Sequence, residues 1–314
     1  MQHRELGGLR VSVVGLGCNN FGRRVDLAGT RAVVEAALEA GVSFLDTADV
    51  YGGQGGSERL LGEVLGGRRA EVSLATKFGM DMGDSGPSVW PRGSAEYVRQ
   101  AVEGSLARLR TDVIDLYQYH RPDGVTPIEE TLGALDELID EGKVRYIGCS
   151  NFSARELDEA ATAARENGLA RFVSLQNEYS LLRRDLEAEV EPACERLGVA
   201  VLPYFPLASG LLTGKYRRGE RAPEGTRLHG RSQVADDETF DRLEAAERFA
   251  RERGIELLDV AIARLAAQPM VASVIAGATK PEQVRANAAA ATRWTPSDAD
   301  LDELDSIFPP SGRR

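Results

Sequence analysis

Short runs dominated by Val, Ile, Leu and Ala alternate along the chain with longer stretches whose apolar residues recur every three or four positions. The short runs fall at 12–16, 42–46, 71–76, 113–118, 144–148, 172–176, 199–203 and 271–276. Most are nearly continuous in apolar character, as expected of strands covered on both faces. The periodic stretches read as amphipathic helices at 29–40, 57–65, 94–109, 127–141, 153–167, 185–197, 236–267 and 281–290. Ser94 and Ser153 are positioned as N-caps, and Glu156 completes a capping-box pattern with Ser153. Gly41, Gly142 and Gly198 stand where three of the stretches stop.

Strand and helix thus alternate about eight times, roughly 30 residues apart, which is the rhythm of βα units on a parallel sheet. That count predicts one α/β domain over 1–314, a closed (β/α)8 TIM barrel, with an open doubly wound sheet as the alternative. Val14-Gly15-Leu16-Gly17 carries only G-x-G, short of the dinucleotide fingerprint that an open sheet would favour. The opening segment R-E-L-G-G-L-R-V-S-V-V reads as a β-hairpin turning at Gly7-Gly8 and able to plug one end of the barrel. Two segments, 78–93 and 207–235, exceed ordinary connectors and are expected as long loops at the C-terminal face, where barrels build their sites.

Composition narrows the class. Apolar residues make up 42 % of 314, enough for a sizeable core. The net charge of -11 argues against nucleic acid or an anionic membrane surface as partner. Cys18, Cys149 and Cys194 are odd in number and lack metal-ligand spacing, so a reduced, cytoplasmic protein without a metal is expected. The start of the chain is polar, without the apolar stretch of a signal peptide, and no run approaches the roughly 20 residues of a membrane span.

Four polar residues change the picture. Asp46 follows the second strand, Lys77 the third and His120 the fourth, and Tyr51 lies in the glycine-rich loop beyond Asp46. Taken singly, they read as a loop cap, a surface lysine, a structural histidine and an ordinary loop aromatic. At successive strand ends of a barrel they converge. A free phenol has a pKa of about 10, and a nearby ammonium is expected to lower it. Asp46 would hold Lys77 charged, and His120 would orient a substrate oxygen, so that a carbonyl could receive a proton at oxygen and a hydride at carbon.

The segments D-T-A-D-V-Y-G (46–52), A-T-K (75–77), D-L-Y-Q-Y-H-R-P-D (115–123) and I-G-C-S-N-F (147–152) resemble the aldo-keto reductases. So do Q-N-E-Y-S-L-L (176–182), P-L-A-S-G-L-L-T-G-K-Y (206–216) and I-A-G-A-T-K-P-E-Q-V-R-A-N (275–287). The likeness is greatest to the bacterial sugar- and aldehyde-type branch, which also resembles potassium-channel β subunits. It implies a (β/α)8 barrel that binds NADP(H) without a Rossmann domain, with Tyr51, Asp46, Lys77 and His120 as the catalytic four. It implies that Ser150, Asn151 and Gln176 hold the carboxamide and that Tyr204 stacks on nicotinamide. Phe205, Pro206, Leu207, Ser209 and Lys215 match the pyrophosphate segment, and Arg227 matches an arginine toward the adenosine end. Gly17, Cys18 and Asn19 join the cofactor positions, as do Gly277, Thr279, Lys280, Gln283 and Asn287 after the last strand. Gln283 replaces an arginine that many members use for the 2′-phosphate, and Ala286 replaces a glutamate at adenine. Lys280 is expected to supply the charge instead, which favours NADPH over NADH. Asn20, Phe21, Met80, Trp90 and Tyr119, with Arg121, are the substrate-pocket candidates. The expected activity is reversible reduction of an aldehyde or ketone by NADPH. A cofactor-sensing binding protein and another class of barrel enzyme are the competing readings.

Overall fold

The computed structural model describes residues 1–83 and 90–310. Gly86 and Pro87 of the expected 78–93 loop lie outside those residues. Strands β1 (His3–Leu6) and β2 (Leu9–Ser12) pair antiparallel, with Leu6 opposite Leu9. Gly7 takes φ 64° at the turn, which a residue with a Cβ resists.

Eight parallel strands follow: β3 (Val14–Gly17), β4 (Phe44–Asp46), β5 (Ser73–Phe78), β6 (Ile114–Tyr119), β7 (Val144–Ser150), β8 (Ser174–Gln176), β9 (Ala200–Val201) and β10 (Val274–Gly277). They pair in chain order from β3 to β9, and β10 pairs with β3. Parallel bridges Val201–Val271 and Tyr204–Ile275 join the last two strands and close the barrel. All eight expected strands are present, and the (β/α)8 barrel with its hairpin replaces the open-sheet alternative.

The helices are α1 (Leu27–Glu39), α2 (Tyr51–Gln54), α3 (Gly56–Leu65), α4 (Ala95–Leu109), α5 (Ile128–Asp140) and α6 (Ala154–Asn167). They continue with α7 (Leu186–Leu197), α8 (Asp237–Glu252), α9 (Leu257–Ala266), α10 (Pro281–Arg293) and α11 (Asp298–Ile307). Both expected serine caps form: Ser94 Oγ accepts from Tyr97 N, and Ser153 and Glu156 make the reciprocal capping box. The single stretch expected at 236–267 is two helices, because Gly254 turns the chain at φ 65° and Glu256 with Asp259 caps a new start. Two further helices escaped the periodicity. α2 is a single turn whose Gly52 and Gly53 have positive φ, and α11 starts at a Ser297–Asp300 capping box.

The main core lies between barrel and helices, where Leu16, Leu45, Leu74, Ile147 and Val274 meet Val33, Val98, Leu135 and Ile262. Each such side chain contributes about 1.5–3 kcal/mol by leaving water. A separate layer fills one end of the barrel: Leu6, Leu9 and Val11 of the hairpin pack on Phe44, Ala75, Leu116, Leu202 and Ala272. Arg4 fastens the hairpin there by donating to the carbonyls of Ala266, Gln268 and Val271. The opposite end, where the strands finish, is left open for a site.

Candidate active site

Asp46 ends β4 and Lys77 lies near the end of the adjacent β5, so the parallel register brings them together. Lys77 Nζ donates to Asp46 Oδ1 at 2.8 Å, to Oδ2 at 2.7 Å and to the Thr47 carbonyl at 2.7 Å. All three ammonium hydrogens are therefore used, which a buried cation needs. Gln176 Nε2 and Gln118 Nε2 donate to Asp46 Oδ1 at 2.8 and 3.2 Å. Burial lowers the Lys77 pKa, but Asp46 and Tyr51 raise it by more, and the net direction is upward.

Tyr51 opens α2, and its ring lies with Lys77 Nζ 5.2 Å from the centroid and with the His120 ring edge-on at 5.7 Å. Gly52 lets the loop approach closely: its φ is 70°, and a Cβ there would collide with the Phe21 carbonyl and the Ser57 amide. Burial pushes the Tyr51 phenol above its ordinary value, while the Lys77 ammonium pulls it down. The net direction is upward, opposite to the sequence-based expectation, because desolvation of the phenolate outweighs the one cation. His120 is displaced to about 3 by burial and by the charges of Lys77 and Arg121, so its imidazole is neutral at pH 7. Its Nδ1 is buried without a hydrogen-bond partner.

These groups stand in a cleft of about 720 Å³ at the finishing end of the barrel. Asp46, Tyr51 and His120 line it; Lys77 stands behind Asp46, wholly buried. Gly17, Cys18, Asn19, Ser150, Asn151, Gln176, Tyr204, Phe205, Pro206, Leu207, Ser209, Lys215, Arg227, Gly277, Thr279, Lys280, Gln283 and Asn287 all line the same cleft. Its floor is cross-tied. Asn151 Nδ2 donates to the His120 carbonyl at 2.9 Å, and Tyr204 OH donates to Asn151 Oδ1 at 2.9 Å. Asn151, Phe205, Ala208 and Ser209 hold positive φ without being glycine, costing about 1–3 kcal/mol each. Along another wall Arg227 lies over the Phe205 ring at 5.1 Å, and Arg24 donates to the Gly225 carbonyl at 2.6 Å. The 207–235 segment is thereby drawn across the mouth. At the far end Lys280 caps α10, and Gln283 Oε1 accepts from Thr279 N at 2.8 Å.

Of the substrate-pocket candidates, Asn20, Met80 and Arg121 line the cleft. Phe21, Tyr119 and Trp90, expected there from the sequence, are not among its described lining residues. Phe21 is fully enclosed in the main core. Tyr119 stacks on Phe78 at 5.0 Å, and its hydroxyl accepts from Asp123 N. Trp90 packs against the core from the edge of its loop. In each case the large apolar ring gains more from the core than from a wet cleft. Sequence reasoning missed Gln118, Arg24 and Asn177, which receives Asn151 N at 2.7 Å and donates to the Phe152 carbonyl. Gln118 carried a signal, being an amide inside an apolar strand; Arg24 and Asn177 carried none that stood out from loop composition.

A closed parallel barrel with a cleft at its finishing end, lined by Arg24, Arg121, Lys215, Arg227 and Lys280, defines the broad class. The Aldo/keto reductase family model matches residues 13–308. A rice protein (Oryza sativa subsp. japonica) named a probable voltage-gated potassium channel subunit beta is 38% identical over 303 residues, covering 91% of this chain and 90% of that one. The uncharacterized oxidoreductase YrpG of Bacillus subtilis is 36% identical over 322 residues, covering 99% and 97%. The holo form of the aldo-keto reductase AKR11C1 from Bacillus halodurans superposes with a TM-score of 0.81 at 33% identity, covering 98% of this chain and 96% of that one. The chain belongs to the aldo/keto reductase family and is an oxidoreductase of that family.

Proposed function

We propose that the protein is an NADP(H)-dependent reductase that converts an aldehyde or ketone reversibly to an alcohol, with Tyr51 as proton donor. The observation that carries this reading is the convergence of Tyr51, neutral His120 and the buried Lys77–Asp46 pair at a cleft of about 720 Å³. The cleft suits such a cofactor: five cations line it among the described residues, and Lys280 and Gln283 at the start of α10 are part of its wall. When bound, the nicotinamide supplies the hydride. Gln176, Ser150 and Asn151 would hold its carboxamide, and Tyr204 would face the ring. Lys215, Arg227 and Lys280 would meet the phosphates, and Lys280 favours the 2′-phosphate of NADPH over NADH.

Tyr51 Oη gives its proton to the substrate oxygen. The phenolate formed lies beside Lys77, whose ammonium is held charged by Asp46. His120, being neutral, orients the carbonyl as a hydrogen-bond donor rather than as an acid. The three cysteines are free and buried, consistent with a reducing, cytoplasmic setting. The test is a carbonyl panel with NADPH and NADH side by side. NADPH consumption is expected, with Tyr51→Phe losing about 10²–10⁴-fold in kcat while cofactor binding persists. Tight cofactor binding with no turnover on any carbonyl would instead favour a cofactor-sensing binding protein; the rice relative is named a probable voltage-gated potassium channel subunit beta.

A further inference from the structure

The cleft is cationic within an acidic protein. Among the described residues, Arg24, Arg121, Lys215, Arg227 and Lys280 line it against Asp46 and Glu224, although the chain carries a net charge of -11. Asp46 is already neutralised by Lys77. None of the five cations has a carboxylate partner among the described residues.

They divide into two pairs and one residue that stands apart. Arg24 and Arg227 lie together, since Arg24 holds Gly225 and its charge, with that of Arg23, acts on Arg227. Lys215 and Lys280 belong with the segments assigned above to the phosphates. Arg121 stands apart near His120: its charge acts on both His120 and Tyr204, and among the described residues its guanidinium has no hydrogen-bond or ion-pair partner. With Phe21, Tyr119 and Trp90 withdrawn into the core, the walls near Tyr51 include Asn20, Met80 and Arg121. An exposed guanidinium fork on the cleft wall next to His120 matches a carboxylate or phosphate in bidentate fashion.

Resting on the reductase reading, we propose that Arg121 is a specificity-determining residue and that the natural substrate is a carbonyl compound bearing an anionic group. The guanidinium binds that group while the carbonyl oxygen meets Tyr51 and His120. The cationic rim also draws anions into the cleft, so the effect weakens with ionic strength.

Matched pairs test this. Initial rates with NADPH are compared for 4-oxobutanoate against butanal and for glyceraldehyde 3-phosphate against glyceraldehyde. The parent is expected to favour the anionic member of at least one pair in kcat/KM by about tenfold or more. Which pair shows the preference separates carboxylate from phosphate. In Arg121→Leu that ratio collapses mainly through KM, and Arg121→Lys restores part of it. No preference in the parent, or a ratio unchanged by Arg121→Leu, overturns the proposal. A second readout needs no turnover: butyrate and butyramide are titrated calorimetrically into the NADP-loaded protein. Butyrate is expected to bind more tightly to the parent than to Arg121→Leu, with butyramide indifferent. Equal butyrate binding by both proteins overturns the anion site, whereas absence of carbonyl turnover with selective butyrate binding overturns only the reductase reading.

Discussion

Tyr51 and His120 are shifted in directions that keep both uncharged near neutrality, and this shapes the pH behaviour of the site. The folded pKa of His120 lies near 3, below the ordinary imidazole value of about 6.5, so between those values the unfolded chain binds the extra proton. Stability is therefore fully retained above pH 6.5 and falls as pH drops toward 3. Urea titrations across that window should show a shallower decline for His120→Asn than for the parent. For the same reason kcat/KM for reduction should show no break between pH 6 and 8. The Lys77–Asp46 pair calls for a different experiment. Lys77→Met leaves a buried carboxylate uncompensated and should cost about 3–5 kcal/mol in urea unfolding, whereas adding Asp46→Asn should recover part of the loss. The convergence of Asp46, Lys77 and His120 was legible in the sequence because each stands at a strand end, with Tyr51 in the loop beyond Asp46. The rise in the Tyr51 pKa was not legible, since it depends on how much water the surrounding walls exclude. The packing of Phe21, Tyr119 and Trp90 against the core was not legible for a related reason: an aromatic beside a strand end has the same composition whether it faces the cleft or the core.

At the scale of elements, capping and loop ties decide what holds the site. The Ser153–Glu156 box starts α6 directly after the Asn151 turn, so Ser153→Ala should lower stability by about 1 kcal/mol, read as a lower Tm. The loop over the mouth is held in part by one charged donor, Arg24, on the Gly225 carbonyl. Arg24→Ala should speed cofactor release severalfold in stopped-flow fluorescence, as expected for losing about 1 kcal/mol of an exposed hydrogen bond. Strands and most helices were legible because burial on both faces, or on one stripe, leaves a periodic trace. α2 left none: a single turn with two positive-φ glycines has no period to detect. The joined stretch at 236–267 failed differently, since apolar spacing continues across Gly254 while the backbone does not.

In the whole molecule, the barrel separates its stability from its chemistry. The hairpin layer around Leu6 and Val11 closes the end where strands begin, and the cleft occupies the end where they finish. Leu6→Ala should leave a cavity costing about 2–5 kcal/mol in denaturant unfolding, with the affinity for cofactor unchanged in the folded protein. The eightfold rhythm of the sequence revealed this architecture, but not how the 207–235 segment lies across the mouth. That depends on contacts such as Arg24 with Gly225, made between residues 201 positions apart. The placement of the hairpin also has a practical use. A linker attached ahead of Met1 emerges at the pole remote from the reactive mouth, so molecules tethered to a bead or electrode through that end would all present the mouth outward.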